Sequence, residues 1–150
     1  MRLEMIATLR LSYGDEGFVL VRPYGSEEGS GWGEGDGTIA GDRVNGTVRW
    51  MNSPHRRSDV VMLPHAHGRI RTDDGAVILF LLEGRTPLEG DEANQQLLHF
   101  TFEAEDERYT WLNTTFIVGE GIIRESEPGS TKYVMHAELY RCVHELQPDG

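Results

Sequence analysis

The chain has 150 residues, the size of one compact domain, with 14 basic against 25 acidic side chains and a net charge of −11; that length buries a core without help from disulfides or metal. The charge balance argues against nucleic-acid and anionic-membrane surfaces, which need Lys and Arg to neutralise phosphates. A single cysteine, Cys142, excludes an intrachain disulfide and a Cys-rich zinc site, no apolar run reaches the roughly 18–20 residues of a spanning helix, and the amphipathic start Met1–Ile6 is unlike a signal peptide, so the cytoplasm is the expected location.

Eighteen glycines punctuate short runs rich in Val, Ile, Thr, Phe, Tyr and Trp, a pattern of many short strands. Strands are expected near 3–12, 17–22, 37–50, 59–63, 65–72, 76–83, 96–104, 109–118 and 131–144. In the first, Leu3, Met5, Ala7, Leu9 and Leu11 alternate with Arg2, Glu4, Thr8 and Arg10, the period of two that a half-buried strand requires. The polar, glycine-rich segment 25–37 reads as a mobile loop, a possible lid carrying Trp32 beside Trp50. It lacks the buried strand, following helix and lysine of a phosphate-binding loop.

Farther along, Thr72-Asp73-Asp74-Gly75 is a hairpin turn, since Gly accepts positive φ. The run after it, residues 76–82, is apolar on both faces. An antiparallel strand with one wet face avoids that pattern, so a homodimer contact there is expected. Residues Asp91–Gln96 suit one or two helical turns. In the next strand Leu98, Phe100 and Phe102 oppose His99, Thr101 and Glu103. Glu127-Pro128-Gly129-Ser130 breaks the chain before the last strand. Eight or nine antiparallel strands in one domain, residues 1–150, with at most short helical turns, are best served by closure into an all-β barrel, which removes exposed edges.

Three local signatures occur together: Gly35-Asp36-Gly37-Thr38-Ile39-Ala40-Gly41-Asp42-Arg43-Val44-Asn45-Gly46, then Thr72-Asp73-Asp74-Gly75-Ala76, then Tyr109-Thr110-Trp111-Leu112-Asn113. In order and spacing the chain resembles, over roughly residues 5–143, the bacterial family known as domain of unknown function 3237. The resemblance implies a small lipocalin-like antiparallel β-barrel and no particular reaction. Ahead of the Thr-Asp-Asp-Gly turn that family often carries an acidic residue and, two positions on, an arginine; His65 and His67 stand there here.

His65 and His67 share one strand face, about 7 Å apart, a spacing that most often means a solvated or pocket-lining strand and that also serves an acid–base pair or a metal pair. A cupin-type glutamate four or five residues after the second histidine is missing, and Arg69 and Arg71 on the same face oppose a cation. His99 and Glu103, on one face of the next strand but one, complete the candidate catalytic set, because a carboxylate on an inner wall becomes a base near neutral pH. Trp50, Tyr109, Trp111 and Asn113 offer flat apolar area with hydrogen-bonding tips for an aromatic ligand. There is no Gly-x-Ser-x-Gly elbow, which disfavours a nucleophilic hydrolase.

The expected function is therefore a cofactor-independent isomerase, cyclase or lyase acting on a hydrophobic, aromatic or polyketide-like molecule inside the barrel. A non-catalytic ligand-binding barrel and a metal-dependent barrel using His65 and His67 are the alternatives. This site requires the polar strand faces to point inward.

Overall fold

The computed structural model describes residues 1–149. It contains β1 (Arg2–Tyr13), β2 (Val19–Val21), β3 (Gly29–Ala40), β4 (Asn45–Asn52), β5 (His55–Arg56), β6 (Val61–Leu63), β7 (His65–Thr72), β8 (Val77–Pro87), β9 (Gln95–Ala104), a 3-10 helix (Thr110–Thr114), β10 (Ile117–Glu125) and β11 (Tyr133–Val143). Antiparallel pairings run β1–β11–β10–β9–β8–β7–β4–β3 and return from β3 to β1, closing a ring. The all-β barrel read from the sequence is the fold. Among the described residues no helix is long and apolar enough to cross a membrane.

Strand alternation decides what fills the ring. Leu98, Phe100 and Phe102 point inward and are buried, while His99, Thr101 and Glu103 point out. Ile70, Ile78, Phe80, Ile117, Ala137 and Leu139, from β7, β8, β10 and β11, belong to the same core. The inward placement of the polar faces is thus reversed. Burying one Phe is worth about 1.5–3 kcal/mol, whereas a desolvated imidazole or carboxylate costs stability unless paired.

Four local expectations change for identifiable reasons. Of the glycine-rich segment 25–37 only residues 25–28 are a loop: residues 29–40 form β3, because Gly31, Gly33, Gly35 and Gly37 leave room for neighbouring chains and rings to lie against the strand. The run 37–50 is two strands, turned at 41–44 by Asn45, whose carboxamide bonds both the N–H and the C=O of Gly41. The register slips between Met5 and Ala7, a bulge that bends β1 and switches its faces. Leu3 and Met5 are consequently exposed, whereas Ala7, Leu9 and Leu11 are buried. Finally, residues 91–94 make a turn leading into β9, with no helix.

The two ends of the barrel differ. At one end the hairpin turn between β7 and β8, with Gly75 at φ 92°, and the 3-10 helix with buried Leu112 close the ring. At the other, β3 bends away from β1 and β4 so that residues 29–32 pair with β2 and β5, and β6 joins β5 to β8. These short strands extend the wall around an open mouth.

Candidate functional site

A half-open cavity of about 320 Å³ occupies the mouth, bounded by Tyr13, Phe18, Leu20, Asn52, Pro54, Arg56, Met62, Thr86, Gln96, Ile123 and Tyr133, among others. A narrow extension of about 30 Å³ continues inward past Trp50, Ala66, Leu82 and Met135. The aromatic wall is built by close approach. A side chain on Gly33 would overlap the Tyr13 ring, and one on Gly31 would overlap Phe18. Tyr13 then packs at a tilt of 36° against both Trp50, at 4.7 Å, and Phe18, at 5.5 Å, and meets Tyr133 edge-on at 6.4 Å. The indole N–H of Trp50 is committed to the backbone, donating to the carbonyls of Ser12 (3.2 Å) and Asp36 (3.3 Å).

Four polar side chains converge on this apolar space. The backbone N–H of His65 donates to Asn52 Oδ1 at 3.0 Å, and Asn52 Nδ2 donates to the Tyr13 hydroxyl at 3.1 Å. With its oxygen already accepting, the phenol has its own proton free to donate into the cavity. Burial pushes the Tyr13 pKa up from about 10 to about 12, with the Asn52 hydrogen bond opposing. The group is a neutral donor throughout the physiological range. Arg56, tethered by Glu27 and with its side chain mostly buried, borders the same space, and its Nε has no partner. Gln96, 4% exposed, donates from Nε2 to the Thr86 hydroxyl at 2.9 Å, and its Oε1 is buried without a donor.

The raised Tyr13 value has a consequence for stability. Folding favours the neutral phenol, so its contribution is complete below pH 10 and is lost as pH rises from about 10 to about 12. The loss is on the order of 2–3 kcal/mol at 1.36 kcal/mol per pKa unit. Urea midpoints measured from pH 9 to 11.5 should fall more steeply for the native chain than for Tyr13→Phe. Parallel curves would contradict the buried phenol.

The residues singled out from sequence are distributed differently. His65, His67, His99 and Glu103 all lie exposed on the outer wall. His65 and His67 have ring centroids 5.2 Å apart, and His65 Nδ1 is 3.8 Å from Glu83. Among the described residues no three His, Cys, Asp or Glu side chains are placed to hold a metal ion. Trp50 lines the inner extension. Tyr109, Trp111 and Asn113 are at the closed end and do not share a strand face, since residues 110–114 are helical. There Tyr109 donates to Asp74 at 2.7 Å, Arg43 lies 3.8 Å over the Trp111 ring, and Asn113 brackets the backbone of Ala104. Tyr13, Asn52, Arg56 and Gln96 were not anticipated. Three of them carried a signal: Tyr13, Asn52 and Gln96 each continue the inward, apolar phase of a strand (Leu9-Leu11-Tyr13, Val48-Trp50-Asn52, Gln96-Leu98-Phe100) as a polar group near its end.

A family model described as "Protein of unknown function (DUF3237)" matches residues 1–141. None of the curated proteins matches the chain. Among solved structures, a protein of unknown function from Clostridium acetobutylicum ATCC 824 aligns at 20% identity and TM-score 0.80, over 95% of this chain and 100% of its own. A beta-barrel-like protein from Acinetobacter baumannii AYE aligns at 17% identity and TM-score 0.72, over 93% and 95%. A protein from Penicillium herquei described as an enzyme aligns at 20% identity and TM-score 0.62, over 92% and 93%. At these identities the likeness is one of fold.

Proposed function

The chain belongs to this family of unknown function, DUF3237, and on that footing we propose that it is a cofactor-independent acid–base enzyme, an isomerase, cyclase or lyase, acting at the barrel mouth on a hydrophobic, aromatic or polyketide-like molecule. The carrying observation is the Tyr13 phenol, neutral, fixed by Asn52 and free to donate into an apolar cavity beside Arg56. Two such donors hold a carbonyl oxygen and stabilise the negative charge that develops on it when the neighbouring C–H loses its proton. The cavity's described lining contains no carboxylate or imidazole, so the departing proton goes to water through the open mouth or to a group of the substrate itself. The Penicillium herquei relative, described as an enzyme, supports chemistry on this fold.

The test uses 2-tetralone, a bicyclic ketone with an acidic C–H, in buffered D2O. The protein should speed deuterium incorporation beside the carbonyl, read by NMR, above the buffer rate. Tight binding without acceleration would leave a ligand-binding barrel in place of an enzyme.

We propose further that the outer row of β8 faces a second copy of the chain. Val77 and Leu79 are 44% and 52% exposed. Leu79 stands in register between Arg69 on β7 and Glu103 on β9, so the face reads basic, apolar, acidic. A two-fold axis parallel to β8 lays Leu79 on its own copy and Arg69 on Glu103 of the partner subunit, an isologous and charge-complementary contact. Light scattering at tens of micromolar should give a dimer, reduced to monomer by Leu79→Lys. A monomeric native chain removes the contact.

A further inference from the structure

Resting on the reading of the mouth as a small-molecule site, we propose that Gln96 sets what the ligand must carry: a hydroxyl, phenolic or enolic, at the buried end of a flat apolar body, donating to Gln96 Oε1. The inward phase of β9 runs Gln96, Leu98, Phe100, Phe102, so a carboxamide occupies a position where the same strand otherwise buries hydrocarbon. One side of that carboxamide is explained, because Nε2 donates to Thr86, itself 1% exposed. The other side is not. Oε1 is buried and no donor of the protein reaches it, a state that costs stability unless a partner arrives.

The surroundings leave room beside that oxygen. Gln96 pairs with Gly121 on β10, and a side-chain carbon at Gly121 would come to 3.2 Å from Oε1. Gln96 also borders both the main cavity and its inner extension. A ligand whose rings lie among Phe18, Tyr13 and Tyr133 brings its leading end to Gln96, and a small turn of the carboxamide then bares Oε1 to it. Tyr13, bordering the same two spaces, offers a donor where Gln96 offers an acceptor. A flat molecule bearing both a hydroxyl and a carbonyl satisfies both, and the hydroxyl is the feature that Gln96 selects. A site built to pair a ligand hydroxyl rejects the analogue without it, because the buried acceptor is then left unpaired.

The matched probes are 2-naphthol and 2-methoxynaphthalene, which differ in the single donor, titrated into the full chain by calorimetry. The native protein should bind the naphthol roughly ten- to hundredfold tighter. Gln96→Met, of similar length and without the acceptor, should bring the two probes within about twofold, and Gln96→Glu, which retains acceptor oxygens, should keep the preference. Equal affinities in the native chain overturn the role of Gln96 and leave the cavity reading standing. The ether binding as tightly or more tightly, as a carboxamide presenting Nε2 to the ligand would give, overturns it likewise. A preference that survives in Gln96→Met means that another group receives the hydroxyl. If neither probe binds, the small-molecule reading of the mouth falls, and this inference with it.

Discussion

Phe100→Ala is expected to destabilise the protein by about 3–5 kcal/mol, the range for deleting a fully buried aromatic ring. At this chain length the melting temperature should drop by roughly 6–20 °C. Phe100 is 1% exposed and its ring lies 5.9 Å from Phe102 and 6.4 Å from Phe80. A Cβ on Gly119 would approach it to 2.8 Å, so the ring packs directly over that glycine's backbone. His99→Ala, one residue away on the outer wall, removes a stacking contact with exposed Phe116 at 4.6 Å and should cost about 0.5 kcal/mol or less. Thermal unfolding of the two variants side by side tests which face of β9 points inward. A larger loss for His99→Ala would mean that the faces are assigned the wrong way round.

Tyr13→Phe is the corresponding experiment on the site. It removes one oxygen and leaves the ring that packs against Trp50 and Phe18. Loss of one donor to a developing oxyanion costs about 10²–10³ in rate, so the deuterium exchange of 2-tetralone should fall by that factor at saturating ketone. The dissociation constant should change far less, because the donor acts on charge that appears only in the transition state. Asn52→Leu leaves the phenol in place without the amide that orients it, and its rate should lie between the two. A Tyr13→Phe protein that exchanges at the native rate would separate the phenol from the chemistry altogether.

The signals that were legible in the sequence are the local ones. Strict alternation in 98–103 reports which side chains share a face, and the Asp-Gly turn at 74–75 reports a hairpin. Alternation cannot say which face is inside when both contain hydrogen-bonding or aromatic groups, and here the choice fell on the phenylalanines. The apolar run 76–82 became a strand whose inner row, Ile78, Phe80 and Leu82, is core, while Val77 and Leu79 stay exposed. The segment 109–114 looked like a strand because of its aromatics, yet it closes the barrel as a 3-10 turn, with Tyr109 drawn to Asp74 across the sequence.

From the sequence alone follow the all-β class, the antiparallel barrel and the family resemblance, because strand period and turn chemistry act between residues close along the chain. The candidate site was decided by tertiary structure. Tyr13, Asn52, Arg56 and Gln96 come from β1, β4, β5 and β9, and nothing local to any one strand reports that their ends converge. Closure of the ring sets which ends meet. The glycines of β3 then let the Tyr13 and Phe18 rings settle against the strand and leave space between them and the opposite wall. Burial and unpaired hydrogen-bonding capacity, the properties that mark Tyr13 and Gln96, exist only once distant strands surround them.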